Sequence, residues 1–200
     1  MEQYYYEYEQ DSIYCYPDSF ILKNKLNIRD QETLEEAERN ITALRILELK
    51  QKPPKGKLTF KYLQKLHKQI FGDIYDWAGK VRNVNIAKGN MFCDCRFVEA
   101  MAEKLFSELE NENYLQSCDS ETMPDRLAYY LSEINALHPC REGNGRTQRL
   151  FIEILAERAG YEVDFSEVSA QEMVEASAEA FLKEYGKMNE LMRRIVKRDH

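Results

Sequence analysis

Several residue types and patterns are scarce in this 200-residue chain. It holds 8 glycines and 5 prolines, too few for a collagen-like or low-complexity polymer. Histidine occurs three times, at His67, His138 and His200, and no Cys-x-x-Cys pair accompanies it, so a Cys/His metal cluster is not expected. The five cysteines, Cys15, Cys93, Cys95, Cys118 and Cys140, are odd in number and do not read as a disulfide framework. Reduced thiols in a cytoplasm fit them best. No apolar run approaches the length of about 18 residues that a membrane span needs. The opening Met1-Glu2-Gln3 followed by tyrosines lacks a basic segment leading into an apolar one, so no secretory signal is expected. Basic residues are in deficit, 28 against 35 acidic, for a net charge of −7, which argues against general nucleic-acid binding.

What is present describes a folded chain. Apolar residues make up 44 % and aromatics 12 %, and a chain of this length buries roughly 70 % of its unfolded surface. Residues 1–200 read as one domain. Lys50, Lys52, Lys55, Lys57, Lys61, Lys65 and Lys68 crowd one stretch against the overall charge. They read as a solvated loop and helix face, with a contact patch for an acidic partner as the alternative.

Residues 1–28 are irregular and rich in tyrosine (Tyr4, Tyr5, Tyr6, Tyr8, Tyr14, Tyr16). From Asp30, a suitable cap, Leu34, Ala37, Ile41, Leu44 and Leu47 fall on one helical stripe. Pro53-Pro54 and Gly56 break the pattern. A second helix is expected from about Thr59 to Ile70, and a short one through Asp73 to Trp77. Between Asn83 and Phe92 the period changes to two around a Gly89-Asn90 turn, the signature of a small β-hairpin and the one clear strand signal. Helical spacing returns at Phe97, Met101, Leu105 and Leu109, again after Pro124, and again from Leu150 to Ala159. Helices over 170–182 and 187–197 complete the set, with Arg193, Arg194, Lys197 and Arg198 placed to favour a helix C-terminus. The fold class is therefore all-α, mainly helical, with a single hairpin.

Chemistry concentrates in 138–149, His-Pro-Cys-Arg-Glu-Gly-Asn-Gly-Arg-Thr-Gln-Arg, between two strongly periodic helices. Gly143 and Gly145 let a ligand approach the backbone where a helix begins, and the first amides of a helix, with its dipole, favour an anion. Asn144 suits an N-cap or a bond to a bound oxygen. Arg146 and Arg149, three apart, share a helix face and can hold adjacent phosphates, and Arg141 adds charge beside them. Glu142 is tolerable near phosphates if a divalent cation lies between. His138 is the side chain whose ordinary pKa suits a base near neutrality. The Walker spacing is absent.

This segment resembles the Fic motif, His-x-Phe-x-(Asp/Glu)-Gly-Asn-(Gly/Lys)-Arg-x-x-Arg, with matches at His138, Glu142, Gly143, Asn144, Gly145, Arg146 and Arg149. The resemblance to bacterial cell-filamentation Fic proteins extends through Tyr14-Cys15-Tyr16-Pro17 to Leu26, the helix 30–49, Asp73 to Gly79 and Val84 to Gly89. It implies a Fic fold and adenylylation, the transfer of AMP from ATP to a hydroxyl of a target protein with release of pyrophosphate. By resemblance His138 is the base, Glu142 holds Mg²⁺ or Mn²⁺, and Gly143, Asn144 and Gly145 form an anion hole. Arg146 and Arg149 hold the departing phosphates. The hairpin is a flap that registers the target by strand pairing, with Lys88 and Gly89 at its tip near the nucleotide.

Two departures matter. The usual Phe is Cys140, a smaller hydrophobe, so a neighbour must fill the space or the loop is looser. No (Ser/Thr)-x-x-x-Glu-(Gly/Asn) segment of the self-inhibiting type occurs; Ser117 has Glu121 four residues on, but Thr122 follows. That leaves inhibition to a separate small antitoxin. Gly145 matches the adenylylating form; Lys there would suggest Doc-like phosphotransfer. The alternatives are that phosphotransferase and a catalytically weak nucleotide- or protein-binding module. The N-terminal tyrosines Tyr4, Tyr5, Tyr6 and Tyr8 read as packing or disorder, with self-adenylylation there as the alternative. The resemblance places the protein in a bacterial cytoplasm and leaves oligomeric state open, a homo-oligomer included.

Overall fold

The computed structural model describes residues 12–88 and 90–198. Residues 12–28 are irregular turns closed by a bridge between Cys15 and Leu22. Helix α1 spans Gln31–Gln51, α2 Phe60–Phe71, α3 Val98–Asn111, α4 Met123–Leu137, α5 Asn144–Arg158, α6 Ala170–Phe181 and α7 Gly186–Ile195. Strands β1 (Ala87–Lys88) and β2 (Asn90–Met91) form the expected antiparallel hairpin. Among the described residues no helix is long and apolar enough to cross a membrane.

The helix starts are set by local chemistry. Asp30 caps α1 by accepting from the Thr33 amide at 2.9 Å, Pro124 sits in the first turn of α4, and Ser169 and Glu172 form a capping box on α6. Helix α4 is buried through Met123, Leu127, Tyr130, Leu131 and Ile134, and α5 through Leu150, Phe151, Ile152, Ile154 and Leu155. These two helices pack on each other in the centre. α7, α6 and α3 lie against α4, while α2 and α1 lie against α5. The loop joining α4 to α5 carries the motif, so it is held between the two best-packed elements of the fold.

Several expectations need correction. On α1, Leu44 and Leu47 are 56 % and 55 % exposed, and the inward positions belong to Leu34, Thr42 and Leu49. The helix is rotated so that Glu38 and Thr42 reach Arg146. On α3 the buried stripe is Val98, Ala102, Leu105 and Leu109, with Phe97 and Met101 turned outward. Residues 73–77 form isolated turns, such as Ile74 N–H to the Phe71 carbonyl at 3.0 Å, not a helix. This winding buries Ile74, Tyr75 and Ala78 together. A second ribbon was not foreseen. Val196 turns extended after α7, and β4 (Val196–Arg198) pairs antiparallel with β3 (Tyr161–Val163). Arg193 and Arg194 do lie in the last turn of α7, but Lys197 and Arg198 lie on this strand.

Candidate active site

His138 caps α4 in the left-handed conformation (φ 45°, ψ 59°). That turn throws the chain from the end of α4 into the motif loop, which re-enters a helix at Gly143 (φ +81°), the N-cap of α5. A Cβ at Gly143 would lie 2.2 Å from the Phe71 ring, so only glycine fits both the backbone angle and the space. Asn144 stands one residue inside the helix rather than at the cap. Its amide brackets the loop, Oδ1 accepting from the Cys140 N–H at 2.8 Å and Nδ2 donating to the Cys140 carbonyl at 2.7 Å. The amides of Asn144, Gly145 and Arg146 open the helix and have no intrahelical acceptor.

The His138 ring is half-buried and stacks on Phe92, with centroids 3.8 Å apart and planes 12° from parallel. Burial lowers its pKa to about 3, with the positive charges of Arg82 and Lys88 acting the same way. The Asn135 backbone pulls the other way without overcoming them. The imidazole is therefore neutral near pH 7, and the same burial weakens it as a base. Lys88 lies on β1 of the hairpin beside this ring; Gly89 lies outside the described residues.

Glu142 Oε1 accepts from the Gly143 N–H at 2.8 Å and lies 3.9 Å from Arg146. Burial, with Glu38 adding to it, raises the carboxyl pKa against Gly143, Arg146 and Arg141. The Arg146 guanidinium bonds Glu38 and the Thr42 hydroxyl (3.1 Å) on α1, and lies 4.7 Å above the Phe71 ring. Glu38 in turn accepts from the Tyr75 hydroxyl at 2.5 Å. Arg149 is half-buried one turn along. Burial and Arg146 lower its pKa, and Glu153 opposes them. A Cβ at Gly145 would stand 3.4 Å from the Arg149 Nη1, so the bare backbone leaves that face open. Arg141 is buried against the Tyr14 ring (5.8 Å) and Cys15 Sγ (3.9 Å) of the N-terminal segment. Its positive charge still reaches Glu142.

Cys140 is buried, and burial pushes its thiol up to about 12. The cavity beside it, lined by Leu63, His67, Ile134, Pro139 and Gln148 among others, measures about 10 Å³, room for about one water. That is far less than the added volume of a phenylalanine ring.

Sequence reasoning passed over three residues that hold this site. His67, fully buried on α2, accepts from the Gly79 N–H at Nδ1 (3.0 Å) and donates from Nε2 to the Glu142 carbonyl (2.8 Å), and it stacks on Phe71. Burial lowers its pKa to about 4. Its place in the stripe Leu63, Leu66, Ile70 was the available signal. Arg82 and Glu38 are the others, and nothing local marks either.

A model described as the Fic/DOC family matches residues 57–156. The chain is 41 % identical over 182 residues, 90 % of its length, to the protein adenylyltransferase VbhT of Bartonella schoenbuchensis, and it spans 38 % of that protein. It is 40 % identical over 159 residues to Fic of Escherichia coli strain K12, covering 79 % of this chain and 78 % of that one. Among solved structures, the N-terminal Fic domain of a VirB-translocated Bep effector protein from Bartonella quintana, with bound ADP, superposes with a TM-score of 0.89 at 30 % identity. That match covers 94 % of this chain and 96 % of the other.

Proposed function

Because the chain belongs to the Fic/DOC family, we propose that it is a protein adenylyltransferase that moves AMP from ATP to a hydroxyl side chain of a target protein. The observation that carries this reading is a neutral imidazole, His138, held one loop away from a helix N-terminus flanked by Arg146 and Arg149. The target oxygen attacks the α-phosphorus, His138 takes the hydroxyl proton, and the bond to the β-phosphate oxygen breaks so that pyrophosphate leaves. The amides at the start of α5 and the Arg146 and Arg149 guanidiniums hold the phosphates. Transfer of this kind rests mostly on positioning and fixed charge. The bonds that Asn144 makes to Cys140 make it the brace of this loop.

Among the described residues no group of three or more His, Cys, Asp or Glu side chains is placed to hold a metal. A single carboxylate beside a phosphate cradle nonetheless suits Mg²⁺ or Mn²⁺, which commonly takes one or two carboxylates and completes its shell with phosphate and water. Glu142 would hold it, and the cation would neutralise phosphate charge. The β1–β2 hairpin offers main-chain groups to an extended target segment. The absence of a self-inhibitory segment supports control by a separate small antitoxin. A cytoplasmic setting in a bacterium belongs to the same reading, supported by the bacterial relatives.

The test is His138→Ala. Transfer from ATP is expected to fall at least 10²-fold, the usual worth of a general base, while ATP binding persists. Transfer at the wild-type rate would remove His138 from this role.

A further inference from the structure

Arg82 is 2 % exposed, in the segment that leads from the turn at Gly79 into the flap. Every hydrogen bond of its side chain goes to a main-chain carbonyl. Nε donates to His138 at 2.7 Å and Nη1 to Val84 at 2.7 Å. Nη2 is shared between Cys93 and, at 3.4 Å, Leu137. The Arg82 main-chain N–H adds a bond to the Pro139 carbonyl at 2.8 Å. Val84 and Cys93 are the two legs on which the hairpin stands, and residues 137–139 carry the left-handed turn that aims the imidazole. One guanidinium thus joins both legs of the flap to the backbone on either side of His138. The Cys93 N–H, donating to the Ala136 carbonyl at 3.0 Å, runs alongside. A buried cation is unfavourable where a neutral residue would do, and only the planar five-donor fork of arginine can serve this many acceptors at once.

We propose that Arg82 is a positioning residue that clamps the base of the flap to the main chain of the catalytic histidine, so that the strand-paired target and the base are held in one fixed relation. The proposal rests on the adenylyltransferase reading. The phosphate cradle at the start of α5 shares none of these bonds, so ATP binding and target positioning should separate.

Arg82→Lys and Arg82→Gln test it in the full chain, with two readouts. The first needs no activity. Amide hydrogen exchange at Phe92 and Cys93 should quicken at least tenfold in both variants while amides in the middle of α2 and α5 keep their wild-type rates. The second is kinetic. kcat for target labelling should fall about 10²-fold, as misplacement of reacting groups on the scale of 1 Å does, with the KM for ATP within twofold of wild type. Arg82→Lys keeps the charge but not the fork, so full activity in that variant would overturn the clamp. Unchanged exchange at Phe92 and Cys93 would overturn it as well, and so would loss of protection throughout the core, which marks a merely structural residue. If wild-type protein transfers nothing, the functional reading fails, and the exchange readout still decides whether Arg82 clamps the flap.

Discussion

Replacing His67 by glutamine should make the protein less sensitive to acid. The His67 ring is fully buried between the Gly79 N–H and the Glu142 carbonyl, and burial lowers its pKa from 6.5 to about 4. Below pH 6.5 the unfolded chain takes up a proton at this position that the folded chain refuses. Stability therefore drops as the pH falls through 6.5 and stops dropping, for this group, near 4. One proton is worth about 1.4 kcal/mol per pH unit in that window, so His67 should account for about 2 kcal/mol of lost stability between pH 7 and pH 5. The glutamine side chain in His67→Gln has an amide that can donate to the Glu142 carbonyl and an oxygen that can accept from Gly79, but it does not titrate. His138, also depressed, and Glu142, shifted the opposite way, act alike in both proteins and cancel in the comparison. Urea unfolding at pH 7 and pH 5 reads the effect. The variant should lose about 2 kcal/mol less than wild type over that interval. Identical losses in the two proteins would show that His67 is not held neutral by its surroundings.

Two more substitutions probe the loop. Gly143→Ala places a Cβ against the Phe71 ring at a positive φ, which should cost about 1–2 kcal/mol for the backbone and about 1–3 kcal/mol for overpacking; a thermal scan should show the midpoint falling by several degrees, with weaker ATP binding. Cys140→Phe restores the family's usual residue but meets a cavity of only about 10 Å³, so urea unfolding should show a loss of about 1–3 kcal/mol; a gain would mean the neighbours had not closed the space.

The chemistry of 138–149 was legible because it is contiguous: base, carboxylate, glycines and arginines stand within one helix connection. The main helices were legible because their apolar spacing is regular and long. What escaped depends on distant partners. Arg82 meets His138 across 56 positions, His67 meets Glu142 across 75, and Glu38 meets Arg146 across 108. No local pattern reports such pairings. The inward face of α1 was misjudged for the same reason: Thr42 outranks Leu44 there because Arg146 needs a hydroxyl and a carboxylate, which hydrophobic spacing does not register. β3 and β4 are three residues each and pair across the whole of α6 and α7, too short and too far apart to read as a ribbon. Cys140 shows the limit in another way, since the residue says that volume is missing and only the packing says how small the cavity beside it is.

The most direct test of the account follows both ends of the nucleotide. Parallel reactions with ATP labelled at the α-phosphate and at the γ-phosphate, with Mg²⁺ and a bacterial lysate as the source of target, should place only the α label on protein, with the γ label leaving in pyrophosphate and both outcomes lost in His138→Ala. Protein carrying the γ label would contradict adenylyl transfer and assign phosphotransfer, and ATP bound with neither label moved would leave a nucleotide-binding module in its place.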